Sequence, residues 1–258
     1  MCFGKQDSIS YYFDPISVLG KNQNNQSQSQ VFTIAPSLLN IKSNLFGGYF
    51  NYDLVSDREA AKIFFGIWES AEIRLAKRNI ECNTVIELGT SVGVMLGVLS
   101  RVKKLEKYIC VEANPYNFEI LNKFIDDIPT DSHIKTYHNA IHYGSEFINL
   151  NLNATQSSSI YKKSHNSKNY NIKTITLSEL LRKEDINKEF ALVTDIEGSE
   201  ADIFFEDSNS LDLCKEIICE LDSTNRFTVE SQFERILEIG FECLERYNNV
   251  FYFKKLKI

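Results

Sequence analysis

From residue 84 onward the chain repeats one pattern: a short apolar run rich in β-branched residues, then a stretch of helical periodicity, then another run. Residues 84–88 (TVIEL) read as a first strand, 94–102 as a helix and 108–112 (YICVE) as a second strand. Further strands are expected at 134–139, 147–152, 172–176, 190–195 and 216–221. Strands that are apolar at nearly every position are buried on both faces, and strands alternating with helices join in parallel. The chain is therefore expected to form an α/β fold around a mostly parallel sheet with helices on both faces.

Local signals mark the element ends. Ser56-Asp57-Arg58-Glu59 fits a capping box, opening a helix expected to run to about Lys77 with Ile63, Phe64, Ile67, Trp68, Ala71 and Leu75 at helical spacing. Asn114-Pro115 supplies an N-cap and a proline at the first helical position for a helix to about Ile125. Thr176 and Glu179 cap a short helix over 177–182, and a last helix over 229–239 stops at Gly240. The tail, 241–246 and 250–255 around Asn248-Asn249, reads as a hairpin, because Asn tolerates the positive φ of a two-residue turn. Residues 21–30 (KNQNNQSQSQ) hold too little apolar surface to offset the entropy of ordering, so 1–55 are expected to form an appendage with a polar linker, ahead of a domain at 56–258.

Composition narrows the function classes. A formal charge of −7 argues against a nucleic-acid footprint, which draws on clustered Lys and Arg. No run approaches the length of a membrane span, and the first ten residues lack a secretory pattern, so a cytoplasmic location is expected. The six cysteines form no C-x-x-C pair and read as reduced thiols, with Cys110 and Cys219 inside apolar runs.

Three segments carry candidate chemistry, all at strand ends. Glu87-Leu88-Gly89-Thr90-Ser91-Val92-Gly93 joins a strand to a helix, where Gly89 and Gly93 let the chain turn sharply and a ligand approach the backbone. Glu112 closes the second strand, 19 residues past Gly93, where nucleotide-binding sheets place an acid against ribose hydroxyls. Ser91 stands where a pyrophosphate-binding loop has its middle glycine, which disfavours a nicotinamide dinucleotide and an oxidoreductase. The block Asp195-Ile196-Glu197-Gly198-Ser199-Glu200 sets three carboxylates at the opening of a third strand, where they need donors, a cation or raised pKa values. Glu220, at the end of the next strand, joins Asp195 and Glu197 as a candidate base.

These segments, in this order and spacing, resemble the FkbM-type methyltransferases, whose hallmark is an Asp-x-Glu-Gly-x-Glu block; the resemblance covers roughly 84–255. This chain has Glu87 where the family commonly has Asp, Thr90-Ser91 for Ala-Asn, and Ala113 where proline is usual. The resemblance implies a Rossmann-like class I methyltransferase fold, with a mostly parallel seven-stranded sheet and a C-terminal antiparallel hairpin, and S-adenosyl-L-methionine as cofactor. It implies that Glu87, Gly89 and Gly93 surround the methionine part of that cofactor, with Thr90 and Ser91 in the same loop. Glu112, flanked by Ala113 and Asn114, would hold the ribose, Asn139 and Ala140 would border the adenine, and Asp195 would lie against the cofactor as well. The expected reaction is O-methylation of a hydroxyl on a sugar or small natural product, the partner being a small-molecule or glycan acceptor.

Other readings stay open from the sequence alone: transfer to nitrogen, a metal-assisted transfer with a divalent ion on Asp195, Glu197 or Glu220, and an idle cofactor-binding module. His138 and His142 flank the adenine edge, His142 being a further catalytic candidate. The polar loop 153–169, with Ser157, Ser158, Ser159 and Tyr161, is expected to act as a lid or acceptor-facing loop.

Overall fold

The computed structural model describes residues 42–152, 158–159 and 168–256. The linker at 21–30 and most of the expected lid, including Ser157 and Tyr161, lie outside the described residues.

Seven strands form the main sheet: β1 (Thr84–Leu88), β2 (Lys107–Val111), β3 (His133–Tyr137), β8 (Phe190–Thr194), β9 (Cys214–Glu220), β10 (Phe241–Tyr247) and β11 (Val250–Lys255). Their order is β10-β11-β9-β8-β1-β2-β3. All neighbours are parallel except β11, which runs antiparallel to both β9 and β10. Both the mostly parallel seven-stranded sheet and its closing hairpin are as expected, and Asn248 takes the positive φ of 55° at the turn.

Alternation along each strand divides the core in two. Val85, Tyr108, Cys110, Ala191, Val193 and Ile218 point to one face, where α2 (Ser70–Asn79), α3 (Val94–Val102) and α4 (Pro115–Ile125) cover them with Ile73, Leu75, Leu96, Leu99, Leu121 and Phe124. Ile86, Leu88, Ile109, Val111, Leu192, Ile217 and Cys219 point to the other. There α5 (Leu177–Lys183), α6 (Glu200–Glu206) and α7 (Val229–Glu238) supply Leu177, Leu180, Ile203, Phe204 and Ile236. Cys82, Cys110, Cys214, Cys219 and Cys243 are all buried.

The caps form as their chemistry dictates. Ser56 and Glu59 close a capping box on α1 (Asp57–Phe64), Thr176 and Glu179 another on α5, and the Asn114 side chain accepts the Tyr116 N–H at 3.0 Å ahead of Pro115.

Two expectations are corrected. The single helix from Ser56 to Lys77 is two helices, α1 and α2: the chain breaks after Phe65, with Gly66 at φ 63° and Glu69 at φ 44°, both left-handed. The strands expected at 147–152 and 172–176 do form, as β5 (Phe147–Leu152) and β7 (Lys168–Ile175), yet they do not join the main sheet. With β4 (Ala140–Ile141) and β6 (Ser158–Ser159) they build a second sheet of order β4-β7-β5-β6.

Residues 42–55 pack into the main core. Phe50 is fully buried between Tyr52 and Phe124, and the Tyr49 N–H donates to the Gly97 carbonyl of α3 at 3.0 Å. The domain boundary expected at residue 55 falls inside this packed layer.

Candidate active site

The carboxyl ends of β1, β2 and β8 face one cavity of about 630 Å³, within the roughly 300–1,000 Å³ of small-molecule sites. β1 leaves the sheet through Gly89 at φ 85°, whose N–H, with that of Thr90, donates to the Val111 carbonyl at 2.8 and 3.1 Å. A Cβ built at Gly89 would lie 2.0 Å from the Asp195 carbonyl oxygen. Two backbones meet there with no room for a side chain, and the Asp195 N–H donates to the Leu88 carbonyl at 3.0 Å.

Glu112 follows β2 and lines the cavity at 5% exposure. The Ser91 N–H donates to one of its oxygens at 2.7 Å and the Asn114 N–H to the other at 2.6 Å. A carboxylate offers about four acceptor sites, so capacity remains for a ligand hydroxyl. Burial raises the Glu112 carboxyl to about 7 against the lowering effect of these backbone donors.

The third strand end carries the acidic block. Asp195 lines the cavity, and its carboxyl is pushed well above the ordinary range by burial, then by the charges of Glu220, Glu200, Glu72 and Glu197. Glu197 also lines it, at a left-handed φ of 57° followed by Gly198 at 103°. Glu200 has a different place: almost fully buried, it turns back to accept the N–H groups of Ile196 and, at 2.8 Å, Gly198. That clamp holds the loop in its strained course. Ser199 lines the cavity with a buried hydroxyl that has no hydrogen-bond partner among the described residues.

Of the residues singled out by sequence, Gly89, Ser91, Glu112, Ala113, Asn139, Ala140, Asp195 and Glu197 line this one cavity. Asn139 is held by its amide, which donates to the Lys173 and Thr174 carbonyls of β7 at 3.1 and 3.3 Å. Glu87, Thr90, Gly93, Asn114 and Glu220 do not line it. Glu87 is buried at 3% exposure, where it accepts the Tyr108 hydroxyl at 2.8 Å. Thr90 donates to the Glu87 carbonyl at 3.2 Å, Gly93 backs onto Leu121 and Phe124, and Asn114 caps α4. Glu220 accepts the Asn249 amide at 2.7 Å. His142 accepts the Gly144 and Ser145 N–H groups at 2.9 and 3.2 Å, as a turn-holding residue does, and His138 stacks on Phe118.

Part of the remaining wall comes from residues that the sequence did not single out for the site: Arg58, Glu59 and Lys62 of α1, and Trp68 and Glu69 in the turn before α2. The Trp68 indole N–H donates to Glu69 at 2.8 Å. Burial, then the charges of Glu87 and Asp195, hold the Glu69 carboxyl well above its ordinary value. Only the left-handed turn at Glu69 swings this pair inward, and an unbroken helix gives no sign of it. Among the described residues no group of three or more His, Cys, Asp or Glu is placed to hold a metal ion, and no helix is long and apolar enough to cross a membrane.

The architecture is that of the S-adenosylmethionine-dependent methyltransferases, and this chain is one of them. Residues 87–247, well over half of the 258, match the methyltransferase FkbM domain, and the chain belongs to that family. No curated protein matches it. Among solved structures it is similar to a protein in the NADB-Rossmann superfamily from Streptococcus agalactiae, at 9% identity over 71% of this chain and 67% of that one, with a TM-score of 0.43. The M. capricolum TrmK in complex with S-adenosylhomocysteine matches at 9% identity over 71% and 66%, with a TM-score of 0.39. The Methanococcus jannaschii fibrillarin pre-rRNA processing protein matches at 11% over 67% and 66%, with a TM-score of 0.42. The chain spans about two thirds of each.

The cavity suits this cofactor chemically. A sulfonium and an ammonium need carboxylates nearby, and a ribose diol needs the open acceptor sites of a carboxylate such as Glu112.

Buried acids also set the pH response of the fold. Glu87 is raised to about 8 by burial and the nearby Glu112 charge, and Glu200 to about 7 by burial. Above pH 5 the unfolded chain has lost these protons while the folded chain keeps them, to about pH 7 for Glu200 and about pH 8 for Glu87, so stability falls as pH rises, by up to about 1.4 kcal/mol per pH unit per group. Glu87→Gln keeps an acceptor for Tyr108 and removes one such group. Thermal melts from pH 5 to 9 are expected to show a shallower decline in this variant, and an identical slope would refute the buried-proton account.

Proposed function

We propose that this methyltransferase methylates a hydroxyl of a sugar or small natural product, with Asp195 as the base. The observation that carries the proposal is the buried Asp195 carboxyl on the wall of the cavity that Gly89, Ser91 and Glu112 also line. Bound there, the cofactor supplies an electrophilic methyl on a sulfonium that is already a good leaving group. The protein's share is then alignment, for which about 7–11 kcal/mol is available in favourable cases, and removal of the hydroxyl proton. Burial among other carboxylates makes Asp195 a stronger base than a solvated Asp, which suits it to accept that proton.

Glu112 holds the ribose through the acceptor sites that the Ser91 and Asn114 N–H groups leave open, while those donors fix the carboxylate's orientation. Gly89 and Ser91 lie against the methionine part, and Asn139 and Ala140 border the adenine. Glu87, Thr90, Gly93 and Asn114 support these contacts from behind. A charge-assisted hydrogen bond is worth about 1.5–3 kcal/mol, so Glu112→Ala is expected to weaken cofactor binding roughly ten- to a hundredfold by calorimetry. Because Glu112 is raised to about 7 in the free protein, wild-type affinity is expected to rise from pH 6 to 8 as the carboxylate ionises. Unchanged affinity in the variant would remove Glu112 from the ribose site.

The acceptor atom is tested by mass spectrometry of products from a panel of matched sugar alcohols and amines. Methyl ethers are expected, and methylation of amines alone would overturn the assignment to oxygen.

A further inference from the structure

Both cations that line the cavity, Arg58 and Lys62, come from α1, which also brings Glu59, whereas the carboxylates of Glu112, Asp195, Glu197 and Glu69 come from the strand ends and the turn before α2. Residues four apart lie on one helix face, so the two cations are neighbours along α1. Arg58 is exposed and has no ion-pair or hydrogen-bond partner among the described residues. Lys62 lies 5.9 Å from the centre of the Trp68 ring, a contact that leaves its three N–H donors available. The nearby acid on the same helix, Glu59, is committed to the cap, where it accepts the Ser56 N–H at 3.0 Å and hydroxyl at 2.6 Å.

A cofactor of net positive charge is matched by these carboxylates, which leaves two cations and a flat ring for a second ligand. From this we infer that α1 and Trp68 form the acceptor subsite, and that the acceptor carries an anionic group, a carboxylate or a phosphate, close to the hydroxyl that is methylated. The inference rests on the hydroxyl-methylation reading and names its substrate class: an acidic or phosphorylated sugar, its ring against Trp68 and its anion on Arg58 and Lys62.

The test uses the full chain saturated with S-adenosylhomocysteine, titrated with glucuronate, glucose 6-phosphate and glucose. At least one anion is expected to bind about tenfold more tightly than glucose, and to weaken as salt is raised. The tighter of the two anions tells carboxylate from phosphate. In the Arg58→Ala/Lys62→Ala double variant that preference is expected to disappear while S-adenosylmethionine affinity is retained. Glucose binding as tightly as both anions, or no anion binding, would overturn the inference. So would a double variant that loses cofactor affinity instead, since the cations would then serve the cofactor carboxylate. Product analysis separates the two levels: an anion preference that depends on Arg58 and Lys62, with methyl transferred to nitrogen only, would leave the subsite standing and remove the hydroxyl reading.

Discussion

Replacing Gly89 with valine is expected to abolish measurable cofactor binding and to lower the melting temperature of the free protein. Gly89 sits at φ 85°, a region that costs an L-residue roughly 1–2 kcal/mol, more for a β-branched one. Strain alone is the smaller part. The first side-chain carbon would stand 2.0 Å from the Asp195 carbonyl oxygen, an atom of the backbone that cannot rotate away. Either the β1 loop or the end of β8 must move, and both line the cavity. The total is on the order of 2–4 kcal/mol, in the range reserved for core and strained-backbone lesions. Gly93→Ala is the control: it shares the positive φ, but its new carbon meets side-chain atoms, Leu121 Cδ1 and Phe124 Cδ1 at 2.9 Å, where Gly89 meets backbone at 2.0 Å. Melts and calorimetric titrations should rank Gly89→Val well below Gly93→Ala, and equal behaviour would contradict the close approach of the β1 and β8 ends.

Much of the scaffold was legible because it is written in local chemistry. The Ser56 and Thr176 capping boxes, the Asn114-Pro115 helix start and the Asn248 turn each depend on a few adjacent residues, and each forms as read. Doubly buried strands announce themselves by unbroken apolar runs. What stayed hidden depends on contacts between distant segments. Ile63, Phe64, Ile67, Trp68 and Ala71 keep helical spacing straight through the break, and only Gly66 hints at it. The break in turn places Trp68 and Glu69 on the cavity wall, so one missed turn concealed this part of the site. Periodicity marks 147–152 and 172–176 as strands, yet cannot name their partners, hence the second sheet. The acidic block was visible as a cluster, whereas the division of labour within it was not: Glu200 turns inward to backbone donors while Asp195 and Glu197 face the cavity. Glu220 closes a strand as expected, but Asn249 from the hairpin turn holds it.

Asp195→Asn is expected to lower kcat by about 10²–10⁴-fold, the usual contribution of a positioned base, with little change in cofactor affinity. The amide keeps the size and polarity of the side chain and cannot take a proton. In the wild type, kcat should rise with pH as Asp195 ionises, and the variant should lose that limb. The neighbours supply the discriminating experiment. Apart from burial, the charge of Glu220 contributes most to raising the Asp195 carboxyl, although Glu220 does not line the cavity. Removing that charge in Glu220→Gln makes ionised Asp195 easier to form, so its pKa falls and the rising limb moves to lower pH, while the plateau rate holds. A residue that itself accepted the proton would behave in the opposite way, losing the plateau without moving the limb. If Glu220→Gln collapses the plateau and Asp195→Asn leaves it intact, the base is Glu220, and Asp195 serves only to shape the cavity.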